Sequence, residues 1–372
     1  MSPSMAEILD RLTAPGELVE KLEDNAVRCH ACAHRCLIQP GKRGTCLVRF
    51  NENGILRVPW GYVAAAQVDP VEKKPFNHLL PGSRALTFGM LGCDFHCNFC
   101  QNWLSSQAFR DPSAYITGDS IQRVSPDEIV HFALQNEAEL VISSYNEPLI
   151  TSEWAVAIFR QAQAAGLRCA YVSNGFATPE VLQFLRPYLS AYKIDLKTMK
   201  AEQYRKLGGS LNTVLENIRS AFDLGLWVEV VTLVIPGFND SPEELWEAAR
   251  YLASVSPDIP WHVTAFHPDY RLLGTPYTTA AALQQAAEIG QEAGLNFVYA
   301  GNLPGRVGSL EDTHCPSCQA RLIQRHGFTI SEYYLTAAGT CPKCGQKIPG
   351  VWNDHPEQIH TGGSGWPRRV LL

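Results

Sequence analysis

An α/β fold is what the sequence predicts: a closed or partly closed (β/α) barrel with a cysteine-rich module on either side. Three observations carry this. Seven short apolar runs between residues 85 and 300 alternate with helical stretches, the pattern of βα units feeding a parallel sheet. The runs are continuously apolar, as strands buried on both faces are, and so many units in succession favour a barrel over a short open sheet. All but Cys169 of the 12 cysteines fall in three tight groups, one inside the alternating region and one on each side. Periodicity does not decide closure, so a doubly wound sheet stays open as the alternative.

Three segments follow in order: residues 1–84, 85–304 and 305–372. The first opens on a short amphipathic helix carrying Ile8, Leu9, Leu12, Leu18 and Leu22, interrupted at Pro15-Gly16. It continues with Cys29, Cys32, Cys36 and Cys46, then a hairpin or short strands over 55–69, and a loop marked by Pro75, Pro81 and Gly82. The second holds the expected strands 85–91, 139–144, 168–173, 190–196, 227–235, 261–266 and 296–300. Its helices announce their starts: Ser125-Pro126-Asp127-Glu128 and Ser241-Pro242-Glu243-Glu244 each combine an N-cap Ser, a Pro in the first turn and a Glu reaching back, and Thr178-Pro179-Glu180 is similar. The third turns to Gly, Pro and polar residues around Cys315, Cys318, Cys341 and Cys344, and its tail from Asn353 lacks periodicity and is expected to wrap or fray. Cys169, inside an apolar strand, reads as a buried inert thiol.

Composition excludes several functions. Hydrophobic residues are 45 %, enough for a large core, so the chain is not disordered. A net charge of −6 provides no global field for nucleic acid or an anionic membrane. The longest apolar candidate, 226–235, carries Glu229 and stops at Pro236-Gly237, too short to span a bilayer. The first residues lack a basic region followed by an apolar stretch, so no signal peptide is expected. Tight CxxC spacing then argues for metal or cluster ligation in a reducing compartment, the cytoplasm, against a disulfide framework.

The central group reads Gly92-Cys93-Asp94-Phe95-His96-Cys97-Asn98-Phe99-Cys100-Gln101-Asn102, directly after the first barrel strand. That puts three thiolates at the C-terminal mouth of the barrel, where such folds carry chemistry. Three cysteines can hold three irons of a [4Fe-4S] cluster and leave the fourth without a protein ligand. An open position separates a reactive metal centre from a structural one. A zinc knuckle with His96 as a fourth ligand is the bland alternative.

Cys93-x3-Cys97-x-Phe99-Cys100 resembles the signature of the radical S-adenosylmethionine (SAM) enzymes. That resemblance implies the partial (β/α)6-type TIM barrel of the radical SAM fold, with SAM held by its amino and carboxylate groups on the free iron. It implies reductive SAM cleavage to a 5′-deoxyadenosyl radical that abstracts hydrogen from a substrate. Further motifs follow successive strands. Tyr145-Asn146-Glu147-Pro148 resembles the family's Gly-Gly-Glu-Pro, which gives Glu147, beside Asn146, the methionine ammonium. Ser173-Asn174-Gly175 resembles the activating-enzyme Asp-Thr-Asn-Gly, with Val172 in place of the acidic residue. Asp195-Leu196-Lys197 matches the activating-enzyme Asp-Leu-Lys, with Lys197 facing the methionine carboxylate. His267 falls where activating enzymes place a histidine near the cofactor. Singly, each is no more than a turn, a tight loop or a solvated charge; their shared place at strand ends favours function.

Val68-Asp69-Pro70-Val71-Glu72-Lys73-Lys74-Pro75, His78-Leu79-Leu80-Pro81-Gly82-Ser83 and Cys100-Gln101-Asn102-Trp103 resemble one subfamily, the AmmeMemoRadiSam-system enzymes, relatives of pyruvate formate-lyase activating enzyme. The resemblance runs from about residue 28 to 352. It implies a low-potential donor, flavodoxin or ferredoxin, and a protein substrate or Memo-type and AMMECR-type companions. At the C-terminus, Cys315-x2-Cys318 and Cys341-x2-Cys344 form paired knuckles for one ion, zinc or a rubredoxin-type iron, as a zinc-ribbon or rubredoxin-like module. Cys29-x2-Cys32-x3-Cys36-x9-Cys46 suits zinc or a second iron–sulfur cluster, with His30 and His34 at hand. The expected function is a radical SAM enzyme of undefined substrate; a glycyl-radical activating enzyme and a non-catalytic zinc scaffold are the alternatives.

Overall fold

The computed structural model describes residues 5–114, 121–359, 361–362 and 368–369. Seven parallel strands form its centre: β1 (Arg84–Gly89), β2 (Leu140–Ser143), β3 (Arg168–Ser173), β4 (Ala191–Asp195), β5 (Trp227–Val234), β6 (Trp261–Ala265) and β7 (Val298–Gly301). They pair strictly in chain order. A doubly wound sheet would reverse its winding, so singly wound order decides for the barrel. The barrel is partial: β7 lies at one edge, and beyond β1 the sheet continues through the antiparallel strand Ala65–Pro70 to Arg368–Arg369.

Helices begin at each of the three signalled starts, Ser125, Thr178 and Ser241, and others lie between the strands. These are α1 (Pro126–Gln135), α2 (Ser152–Ala164), α3 (Pro179–Leu185), α4 (Ala201–Leu207), α5 (Leu211–Asp223), α6 (Pro242–Val255) and α7 (Ala280–Glu292). Ser125 and Glu128 form a reciprocal capping box at α1. Ser241 caps α6, but Glu244 turns away to accept from Met199 N at 2.8 Å, tying α6 to the loop after β4. Outward residues of the strands, among them Phe88, Tyr171, Tyr192 and Ile194, pack with Trp154 and Phe159 of α2 in the main core. Inward residues Ala85, Ile142, Ala170 and Ala191 pack with Val71, Phe76, Leu79 and Leu80. The segment 71–80 therefore plugs the floor of the barrel.

One expectation needs correction, and one pair of alternatives is decided. The N-terminal helix covers only Met5–Asp10; Leu12, Leu18 and Leu22 lie beyond it, in and around short strands Thr13–Pro15 and Val19–Lys21. The turn at Pro15-Gly16 lets this stretch pair with Ile55–Pro59. Over 55–69 the short-strand alternative holds rather than the hairpin: Ile55–Pro59 joins the N-terminal sheet, whereas Ala65–Pro70 joins the barrel.

The C-terminal module is a three-stranded antiparallel sheet, Thr313–His314, Arg321–His326 and Thr329–Tyr333, followed by the second cysteine knuckle. It clamps the plug. Leu80 N donates to Val351 O and Val351 N to His78 O, each at 2.7 Å. The His78 ring nitrogens lie 2.7 Å from Pro349 O and 2.6 Å from Tyr299 Oη, with Trp352 and Phe297 packed around the ring. Burial pushes His78 down to about 4, so the imidazole is neutral. No helix among the described residues is long and apolar enough to cross a membrane.

Candidate functional site

The loop after β1 carries Cys93, Cys97 and Cys100 at the C-terminal mouth of the barrel. Gly92 starts it at φ +94°, a left-handed turn in which a Cβ would meet Val48 Cγ1 at 2.8 Å. The chain is held by residues that sequence reasoning missed. Arg110 donates to Cys93 O at 2.7 Å, to Phe95 O at 3.1 Å and to Thr45 O at 2.5 Å. Gln107 Nε2 donates to Phe95 O at 3.1 Å. Neither residue lies in a motif, so no local signal marked them.

Sulfur atoms of this loop already meet donors. Phe95 N lies 3.4 Å from Cys93 Sγ, and Ser106 Oγ 3.2 Å from Cys100 Sγ. Such contacts tune cluster thiolates. Burial pushes all three thiols up, a penalty that an iron cluster removes by holding them as thiolates. His96 packs against Gly208, where a Cβ would come within 2.8 Å of its ring, and among the described residues no close three-ligand group includes it. Phe99 is buried against Phe238, ring centroids 5.4 Å apart, beside the loop after β5.

The strand-end motifs after β2 and β3 come together in one network. Glu147 accepts from Ser173 Oγ at 2.7 Å, Asn174 N at 2.7 Å and Leu149 N at 3.1 Å. Asn174 Nδ2 donates to Asp94 Oδ1 at 2.7 Å, next to Cys93. Asn146 Oδ1 accepts from Met90 N at 3.0 Å and so pins the start of the cysteine loop. Burial, then the neighbouring Asp94 carboxylate, push Glu147 up to about 8. Two buried acids, with Asp94 Oδ2 lacking a hydrogen-bond partner, form a cradle short of a cation.

Across the mouth, Asp195 pairs with Lys193 and, at 3.1 Å, with Lys197. Burial would raise Asp195, but the two ammoniums hold it down to about 2. Lys197 stands close enough to Cys97 to draw that thiol down against its burial, which gives a carboxylate or a cluster a fixed positive neighbour. His267 is set apart: it is exposed, and its ring contacts only Pro268 O, at 3.4 Å.

The N-terminal group lies against this loop. Cys32 lies near Asp94, whose charge adds to the rise that burial gives its thiol, and His34 Nε2 lies 3.2 Å from Asp94 O. Cys29, Cys32 and Cys46 are buried and Cys36 half-buried. Arg49 lies beneath them, fully buried, and forms a two-pronged pair with Glu153 of α2 at 2.7 Å on each side. The C-terminal group differs in geometry. Cys315 and Cys344 Sγ are 3.6 Å apart, Cys318 and Cys341 Sγ 3.7 Å, and all four lie within 4.8 Å of one another. Among the described residues this is the one group of three or more His, Cys, Asp or Glu closed this tightly, a site for a single ion.

A family profile described as the Radical SAM superfamily matches residues 88–252. An uncharacterised protein of Methanocaldococcus jannaschii is 36 % identical over 88 % of this chain and 97 % of its own. The pyruvate formate-lyase 2-activating enzyme of Escherichia coli is 28 % identical over 55 % of this chain and 75 % of its own. An isethionate sulfite-lyase activating enzyme of Oleidesulfovibrio alaskensis is 29 % identical over 44 % of this chain; the match spans about half of that relative, 54 %.

Proposed function

The chain belongs to the radical SAM superfamily, and from that premise we propose that it cleaves SAM reductively at the Cys93, Cys97 and Cys100 loop and turns the resulting radical on a substrate held in the barrel. When bound there, a [4Fe-4S] cluster and SAM supply a 5′-deoxyadenosyl radical for hydrogen abstraction. The chain's own residues hold and shield. Cys93, Cys97 and Cys100 ligate three irons, and Phe99 with Phe238 walls them from water. Asp94 and Glu147, set by Ser173, Asn174 and Asn146, receive the ammonium. Lys197, steadied by Asp195, receives the carboxylate. His267 is kept for the adenosyl side. The observation that carries this is the three-cysteine loop at the barrel mouth, flanked by a cation-seeking pair of acids and an anion-seeking lysine.

The C-terminal four cysteines hold zinc or iron as a clamp on the barrel floor. The N-terminal four, more open and in contact with Asp94, suit a second iron–sulfur cluster better than one ion, and would relay electrons from flavodoxin or ferredoxin. Activating enzymes of this superfamily take a reductant and act on a protein; Memo-type or AMMECR-type proteins are the companions we propose here, in a cytoplasmic setting. Residues 1–84, 85–304 and 305–372 serve as relay, catalytic and clamp units.

The test is anaerobic reconstitution with iron and sulfide. A paramagnetic signal that changes on adding SAM, with methionine and 5′-deoxyadenosine formed under dithionite, is expected. Zinc in all three cysteine groups and intact SAM would reject the proposal in favour of a scaffold.

A further inference from the structure

The inner face of the barrel below the cysteine loop carries a polar row that the proposed SAM contacts use only at Lys197 and its partner Asp195. Alternation fixes which residues face inward: Ala85 and Ala191 belong to the inner cluster, whereas Leu86, Phe88, Tyr192 and Ile194 pack outward. Thr87 and Lys193 share the inward phase, as do Gln67 and Asp69 opposite β1. Lys74 enters from the plug. It pairs with Asp69 at 2.6 Å, lies over the Tyr145 ring at 4.4 Å from the centroid and donates to Tyr145 Oη at 3.2 Å. Lys73 reaches the same Asp69 at 2.9 Å. Thus Lys73 and Lys74 share one carboxylate, and Lys193 and Lys197 share another, Asp195.

Other charges nearby are matched or face elsewhere. Glu229 is saturated by Asn77 N, His78 N, Trp227 Nε1 and His262 Nε2. Asp94 and Glu147 belong to the cation cradle. With Lys197 given to the SAM carboxylate, the row is left with Lys73, Lys74 and Lys193 against Asp69 and Asp195, one ammonium in excess. Burial, opposed by Asp69, brings Lys74 down to about 8, and the like charge of Lys193 adds to the fall. Independently, Thr87 is fully buried and its Oγ1 has no hydrogen-bond partner. Thr87 is in register with Gln67, whose Oε1 accepts from Lys73 at 3.4 Å, so the orphaned hydroxyl lies on the same inward face as the excess ammonium and calls for an acceptor there.

We propose that this row binds the oxyanion of a small-molecule substrate, a carboxylate or a phosphate, between Lys74 and Lys193 with Thr87 donating its hydroxyl. The inference rests on the proposed function, because it places the substrate in the lumen beneath the SAM site. Lys74 and Lys193 are each only 5 % exposed, which favours a small ligand over a surface of a protein partner.

Equilibrium dialysis on the anaerobically reconstituted enzyme tests it, with radiolabelled inorganic phosphate and, in parallel, succinate, at constant ionic strength in sodium chloride. One saturable site per chain for at least one probe is expected; the tighter probe tells phosphate from carboxylate. Lys74→Gln should weaken that site at least tenfold and Thr87→Val about threefold. Thr87→Val keeps shape and removes only the orphan hydroxyl, so it should melt no lower than the parent while binding less; a purely structural threonine would not do this. Absence of a saturable site, or equal affinity in both variants, overturns the proposal. SAM cleavage by the unsubstituted enzyme is scored separately. Lost cleavage rejects the function, whereas intact cleavage without anion binding rejects only the lumen site.

Discussion

Replacing Arg49 by Met removes the cation beneath the N-terminal cysteines and tests how that module is fastened to the barrel. Arg49 and Glu153 side chains are each 1 % exposed. The guanidinium donates to both carboxylate oxygens at 2.7 Å and to Ile150 O at 3.1 Å. Without it, Glu153 keeps only Glu17 N and Leu18 N, at 3.2 and 3.3 Å, and its charge is buried without a counter-ion. Breaking a buried pair from one side costs about 3–5 kcal/mol. An unfolding entropy of about 2.1 cal/mol/K per residue gives roughly 0.8 kcal/mol/K for this chain, so Tm should fall by about 5 °C. Adding Glu153→Gln removes the stranded charge yet still accepts from Glu17 N and Leu18 N, and should recover half of the loss or more. Burial would raise the Glu153 carboxyl, but Arg49 holds it below its ordinary value. The pair's contribution is therefore present above the unfolded value near 4.5 and is lost as pH falls through the lower folded one. Urea and thermal melts followed by circular dichroism at pH 7.5 and pH 4 read these quantities. A single-variant loss under about 1 kcal/mol, or a double variant no better than the single, refutes the reasoning.

Cys97→Ala should abolish SAM cleavage and lower iron content by about four per chain if the cluster is [4Fe-4S], while C-terminal metal stays; cleavage persisting in that variant rejects the site. Cys341→Ser should release the C-terminal ion, measured by metal analysis, and lower Tm with reductive SAM cleavage reduced far less than in Cys97→Ala. His78 has a folded pKa of about 4 against an ordinary 6.5, so the unfolded chain binds the extra proton between them. Stability is full above 6.5 and falls as pH drops toward 4, by about 3 kcal/mol from this group. His78→Gln should flatten that part of the urea-midpoint profile; an unchanged slope rejects a neutral buried imidazole.

The alternating region was legible because its strands are apolar on both faces and its helices carry cap signals; Arg168–Ser173 falls where the expected strand does, to the residue. The segment before it was not. Leu12, Leu18 and Leu22 fit a helical spacing, but their burial comes from pairing with residues 27–29 and 55–59, which no local period encodes. In the site, residues inside motifs could be named, and Asn146, Glu147, Ser173 and Asn174 do form one network. Arg110 could not, because an arginine's value here depends on carbonyls distant in sequence. His267 follows a strand end too, yet its hydrogen-bond contact is to Pro268 O, outside that network.

The clamp on the barrel floor sets an order of events. His78 finds its acceptor 271 positions later, at Pro349. On a translating ribosome the latch on the base of the lumen accordingly waits for the final knuckle to emerge, and a chain cut short before Pro349 would leave Nδ1 of that imidazole without its acceptor and the plug unlatched.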